Sequence, residues 1–269
     1  MPFEQLTAPG GVVWRRSSLL AENGVPHGFS TRLGGVSPAP FDSLNLGLAD
    51  APGDPDEWSR VQENWRRFMQ AVGLQDRRLV RSRQVHGVTT ISADTDADAV
   101  RVEPPFSDGD ALVTTDPGQA LAVRVADCAP VLLADPVARV VAAVHAGWRG
   151  TVGGIVGEAI RAMQVRGARS DRMVAAIGAC IGFEAFQVGG EVRQAFAAEG
   201  LELATGEDTV PGKWRVDLRR ALASQLAAMG VGPERIDLDA TCTVRTGETQ
   251  FSYRREGARS GRMACIIGL

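Results

Sequence analysis

Three segments of the chain set a metal-ligating or nucleophilic side chain at the end of an apolar run. RSRQVHG (81–87) contains His86, VRVADCAPVLLAD (123–135) contains Cys128, and VVAAVHAGWRGT (140–151) contains His145. Each of these residues stands where a predicted strand gives way to a loop, and strand ends converge in a sheet. Two imidazoles and a thiolate are the ligand types zinc prefers, and three protein ligands leave a fourth position for water or substrate. The spacing alone matches no compact zinc-finger pattern, and other readings stay open. Cys128 could be a nucleophile with His145 or His86 as its base and Asp127 orienting the imidazole. Cys180, in AIGACIG, could be a fourth ligand that closes the site. Or Cys128 is a small core residue and the histidines are hydrogen-bonded loop residues.

A second kind of chemistry is legible in HAGWRGT. A strand ends at His145, a glycine-flanked turn follows, and a helix is predicted from near Thr151. Backbone N–H groups at a helix start attract anions, and Arg149 sits in the turn. Arg32, before Gly34-Gly35, and Arg83, three residues before His86, are further candidates to fork onto phosphate or carboxylate.

The elements that must position these residues follow from the patterning. Over 27–47 there is almost no helical periodicity, which predicts strand and ordered loop. Asp54-Pro55-Asp56-Glu57 carries the signature of a helix start, with Asp54 as N-cap and Pro55 at the first helical position. Trp58, Val61, Trp65, Phe68 and Val72 then recur at helical spacing until Gly73. Short apolar runs at 80–86, 110–115, 120–125, 130–134 and 139–145 read as strands. Their short connections predict antiparallel hairpins. A helix is expected from Thr151 through Met163, a buried strand over 173–178, and helices over 191–199 and 217–229. Residues 200–214 are expected as surface loop. Strands in runs with helices outside them predict an α+β fold rather than a doubly wound one.

Composition narrows the function classes. The chain has 269 residues, 29 basic and 32 acidic, for a formal net charge of −3, which argues against a nucleic-acid binder. No apolar stretch approaches the roughly 20 residues that span a bilayer, so no membrane partner is expected. MPFEQLTAPG lacks the apolar run of a secretory signal, so the expected location is cytoplasmic. Four cysteines without a CxxC pair do not make a disulfide framework.

Taken together, these segments resemble the YfiH-like family, also described as laccase-domain proteins, multicopper polyphenol oxidases and peptidoglycan editing factors. GFSTRLGGVS (28–37), SDGDALVTTDPG (107–118), IGACIG with FQVGGEV (within 177–192) and FSYRREG with SGRMA (within 251–264) extend the likeness over roughly residues 25 to 267. The resemblance implies a single domain over 1–269 with a layered αββα sandwich of mixed, largely antiparallel sheets. It implies His86, Cys128 and His145 as metal ligands, zinc as the ion and copper as the alternative. The implied activity is phosphorolysis of adenosine, inosine and methylthioadenosine, with adenosine deamination. The partners are then a nucleoside and phosphate, on a monomer or small homo-oligomer. Cys128, Asp127 and Arg149 are the expected catalytic residues, with Asp127 as proton shuttle or support to the thiolate. Arg32, Arg83, Arg149 and Thr151 are the expected substrate-binding residues. Hydrolytic editing of a cell-wall precursor and copper-dependent phenol oxidation are the rival activities; three histidines are few for the latter. Ala179 and Ser260 stand where the family commonly has proline and threonine, which leaves the three ligands intact.

Overall fold

The computed structural model describes residues 2–47, 56–94 and 107–269. Among them, two six-stranded sheets stack face to face. The first runs in the order β1 (Phe3–Thr7), β2 (Val13–Ser17), β3 (His27–Ser30), β15 (Met263–Gly268), β7 (Gln119–Val125), β4 (Arg78–Val80). The second runs β14 (Ile236–Leu238), β10 (Val174–Ile177), β8 (Ala129–Asp135), β9 (Val140–Ala146), β6 (Ala111–Thr114), β5 (Thr90–Ser92). A small sheet joins β11 (Gln187–Val188), β13 (Trp214–Val216) and β12 (Thr205–Glu207). Pairing is mostly antiparallel; β4 with β7, β5 with β6, and β10 with β14 are parallel.

The two-residue period of the strands sorts their side chains into layers. Leu121, Val123, Cys265 and Ile267 of the first sheet meet Leu132, Ala134, Val141 and Ala143 of the second. The alternate residues face outward. Ala120, Ala122, Ala264 and Ile266 pack under Val61, Trp65 and Phe68 of helix α2 (Trp58–Ala71). On the far side, Val131, Leu133, Ala142 and Val144 pack under Ile155, Ala159, Ile160 and Met163 of α4 (Ile155–Gln164). The result is the expected αββα sandwich. Helices α1 (Ser18–Glu22), α3 (Trp148–Val152), α5 (Gly190–Ala198), α6 (Leu218–Ala228) and α7 (Tyr253–Glu256) complete the described α-helices.

Several expectations need correction. Of the expected hairpins, β8–β9 is one, with Ala129 opposite Ala146. The connections β6–β7 and β7–β8 instead carry the chain from one sheet to the other. In a sandwich a short link can join stacked sheets as readily as neighbouring strands. The run 80–86 is strand only to Val80. Beyond it the chain crosses between sheets, and the Gln84 amide stands in for a strand neighbour. Gln84 donates to the Arg124 carbonyl at 2.7 Å and accepts from the Arg124 N–H at 2.9 Å. Helix α2 begins at Trp58, and Glu57 caps it without a side-chain bond. Asp56 is occupied by Ser37 and Asn45, and Asp54 and Pro55 lie outside the described residues. The helix expected from Thr151 starts earlier and breaks at Gly153–Gly154, where Gly154 takes φ 79°, a value costly for other residues. The expected loop 200–214 holds β12, which pairs with β13. No helix of the described residues is long and apolar enough to cross a membrane.

Candidate metal centre and its cavity

Three neighbouring strands bring the site together. In the β8–β9 hairpin Pro130 lies opposite His145, so residue 128 falls beside residue 147. In the β6–β9 pair Ala111 lies opposite Val144, which sets Asp110 beside His145. His86 arrives from the segment between β4 and β5, at φ 59°. That strained conformation is held by Asp110, whose carboxylate accepts the N–H groups of Val85, His86 and Gly87 at 3.1, 3.0 and 2.8 Å. The same carboxylate accepts Nδ1–H of His145 at 2.7 Å, which leaves Nε2 of that ring for a ligand.

One ligand atom from each of His86, Cys128 and His145 lies within 4.8 Å of the others, and no other described group of histidine, cysteine or acid has that form. Cys128 Sγ is 3.8 Å from Nε2 of His86, and the two imidazoles stand edge to face at 4.9 Å. A tetrahedral ion with bonds of about 2.0–2.3 Å spaces its ligands about 3.3–3.8 Å apart, so a modest contraction closes the cluster on a metal. Space for it is kept by Gly147: a Cβ there would stand 3.0 Å from Cδ2 of His86 and 3.1 Å from Sγ of Cys128. The donor set and this cradle both fit a zinc-type ion.

The electrostatics suit the same purpose. Burial pushes the Cys128 thiol up, but the His145 imidazolium and hydrogen bonds from His145 and His86 outweigh it and hold the thiol at about 6. Burial pushes His145 down, but the Cys128 thiolate and the Asp110 carboxylate raise it to about 9. Burial likewise acts upward on Asp110 and is overcome by His145 and the backbone donors, which leave its carboxyl below the usual range. Cys180 is different. It is fully buried, outside the cluster, and burial pushes its thiol up to about 12, so it is not a fourth ligand.

The ligands line a cavity of about 520 Å³. Arg149 lines it too, with its guanidinium 4.4 Å from the ring centroid of Trp148. Asp127 reaches the cavity, but both its oxygens accept hydrogen bonds, from Thr243 and from the N–H of Arg254. The remaining expected anion ligands are elsewhere. Thr151 is buried and spends its hydroxyl and N–H on the Gly147 carbonyl. Arg32 ties the N-terminal loop to the C-terminal segment through Asp42, Gly247 and Glu256. Arg83 is exposed and forks onto Asp108. None of these three lines the cavity. Arginines 124, 254 and 262 take their place on its wall, with the Tyr253 ring. Sequence reasoning missed these and Asp110. The signal available was that Asp110 lies in SDGDAL and the two later arginines in FSYRREG and SGRMA, segments singled out only as landmarks.

The family model described as "Multi-copper polyphenol oxidoreductase laccase" matches residues 26–269. The chain belongs to this family. It is 41% identical over 266 residues to a protein of Deinococcus radiodurans named purine nucleoside phosphorylase, covering 98% of this chain and 95% of that one. It is 38% identical over 241 residues to the purine nucleoside phosphorylase YfiH of Escherichia coli K12, covering 89% and 92%. Among solved structures, YlmD of Geobacillus stearothermophilus superposes with a TM-score of 0.88 at 32% identity, covering 99% of this chain and 98% of that one. The fold is therefore that of the family throughout. The family description speaks of several coppers, whereas the described residues of this member form one cluster able to hold a metal. His27, the one histidine outside it, has both ring nitrogens engaged, by the Ser17 N–H and the Val25 carbonyl.

Asp110 organises both histidines, which leads to a direct expectation. Asp110→Asn replaces an acceptor oxygen with a donor and frees the His86 turn. Metal affinity is expected to fall by about 10- to 100-fold, read by competition with a chelator. An unchanged affinity would show that Asp110 does not orient the ligands.

Proposed function

We propose that the chain is a zinc-dependent purine nucleoside phosphorylase. It splits adenosine, inosine and methylthioadenosine with phosphate into free base and ribose 1-phosphate, and also deaminates adenosine. The observation that carries this reading is one cavity that joins the His86–Cys128–His145 cluster to four arginines and several aromatic rings. The names of the relatives support it.

Phosphorolysis breaks the bond from the anomeric carbon to the base nitrogen and forms one to a phosphate oxygen. The nucleophile must be held as an anion, and the leaving base must be relieved of its developing charge. Arg149, Arg254 and Arg262 place positive charge on the cavity wall, the last two with guanidinium N–H groups also on backbone carbonyls, and Asp127 is the one acid among the described lining residues. Such a wall favours phosphate over neutral ligands, and preorganised donors of this kind are commonly the largest catalytic contribution. Trp148, Phe186 and Tyr253 offer apolar ring surface for a purine. The chemistry an ion at the cluster supplies is Lewis-acid stabilisation of negative charge. His86, Cys128 and His145 would hold it, and Asp110 keeps His145 in the tautomer that presents Nε2.

The test incubates metal-quantified protein with adenosine, with and without phosphate, and identifies the products. Adenine and ribose 1-phosphate are expected only with phosphate, and inosine appears wherever deamination occurs. Arg149→Ala is expected to raise the KM for phosphate about tenfold while changing that for adenosine far less. Base release at the same rate without phosphate would replace phosphorolysis by hydrolysis.

A further inference from the structure

Asp127 precedes a metal ligand in the chain, yet its hydrogen bonds run to a distant segment. It holds φ 92°, a left-handed value uncommon outside glycine, and such strain persists only where the surroundings enforce it. Oδ1 accepts from the buried Thr243 hydroxyl at 2.5 Å, and Oδ2 accepts from the Arg254 N–H at 2.6 Å. That N–H belongs to the first turn of α7, a helix of four residues. Ser252 caps the Arg255 N–H of the same turn at 3.2 Å. Asp127 thus acts as a second N-cap, supplied from 127 residues away. A helix this short has little stability of its own, and its caps decide where it lies. The guanidinium groups of Arg254 and Arg255 hold other backbone carbonyls, but the bond from Asp127 fixes the turn itself. Tyr253 and Arg254, the residues of that turn, line the cavity.

We infer that Asp127 is a positioning residue: its carboxylate pins the first turn of α7, and through it Tyr253 and Arg254, against the wall that carries the metal ligands. The consequence for turnover rests on the phosphorylase reading; the tether itself does not. A proton carrier would need its carboxylate, whereas a tether needs only hydrogen bonds. Asparagine can keep both, accepting from the Arg254 N–H and donating to the Thr243 hydroxyl, and it tolerates a positive φ. Glycine removes the side chain and suits that φ without strain.

Asp127→Gly is expected to raise the KM for nucleoside and phosphate about tenfold, with kcat within about threefold of wild type. Metal content stays at the wild-type level. Trypsin should cut after the exposed Arg254, Arg255 or Arg259 about tenfold faster. Asp127→Asn is expected to bring both KM values and the trypsin rate back to within about threefold of wild type. Two results would overturn the inference: a glycine variant cleaved no faster than wild type, or glycine and asparagine variants that both lose kcat by more than about tenfold while KM stays near wild type. Should the wild-type protein release no base from any nucleoside, the functional reading fails alone, and the trypsin comparison still decides the tether.

Discussion

Cys128→Ala is expected to abolish metal binding and phosphorolysis together. Cys128 provides the only thiolate of the cluster, and its charge, together with the Asp110 carboxylate, favours the imidazolium form of His145 in the metal-free chain. Without it two imidazoles remain, one of them exposed, and two neutral ligands bind a divalent ion far less firmly than two with a thiolate. Bound zinc should fall from about one ion per chain to below roughly a tenth, and the rate of base release by at least about a thousandfold. The fold should survive. Cys128 stands just before the first residue of β8 and is only half-buried, so its loss opens no large core cavity, and the melting temperature of metal-free protein should move by no more than a few degrees. Elemental analysis and a purine-release assay on the same preparation check both halves. A variant that keeps its zinc and its rate removes Cys128 from the site.

The second large effect is the dependence of metal affinity on pH. In the metal-free chain Cys128 and His145 form a thiolate–imidazolium pair, with the thiol held at about 6 and the imidazole at about 9. A metal accepts the thiolate as it stands but needs a neutral imidazole. Between those values binding must therefore expel one proton, from Nε2 of His145. Below about 6 the thiol is protonated as well, and two protons leave. Affinity should rise about tenfold per pH unit from about 6.5 to 8.5, more steeply in acid, and level off above about 9. From about pH 6 to about pH 9 the gain is on the order of a thousandfold. Chelator competition across pH gives the slope, and a pH indicator gives the proton count at neutral pH. Release of about two protons there would mean that the Cys128 thiol keeps its proton while Asp110 alone holds His145 as an imidazolium. A flat affinity would mean that His145 is already neutral.

Much of this molecule was legible before folding. The near-continuous apolar runs in 120–125, 130–134 and 139–145 mark strands buried on both faces, and Trp58, Val61, Trp65 and Phe68 mark the helix that covers one of them. These patterns lie within a few residues of one another, where sterics and burial act directly. What they could not reveal was which sheet each strand enters. A three-residue link serves a hairpin and a sheet-to-sheet crossover equally well, and two of the expected hairpins proved to be crossovers.

The candidate site divides along the same line. Sequence alone supplied the candidate ligands His86, Cys128 and His145 and set Cys128 and His145 at strand ends, because donor chemistry is a property of single residues and strand ends of local runs; His86 instead stands in the segment between β4 and β5. It also singled out Arg149 beside a glycine turn. Tertiary structure decided the rest. It set Asp110 under both imidazoles, removed Arg32, Arg83 and Thr151 from the anion wall by giving them other partners, and brought Arg254 and Arg262 from the far end of the chain to replace them. Most of those choices depend on pairings between separate elements, 35 positions apart for Asp110 and His145 and 224 for Arg32 and Glu256, and no local period or charge pattern carries that information. Only the stacking of the two sheets, driven by their shared apolar interior, selects which distant loops meet at the cavity.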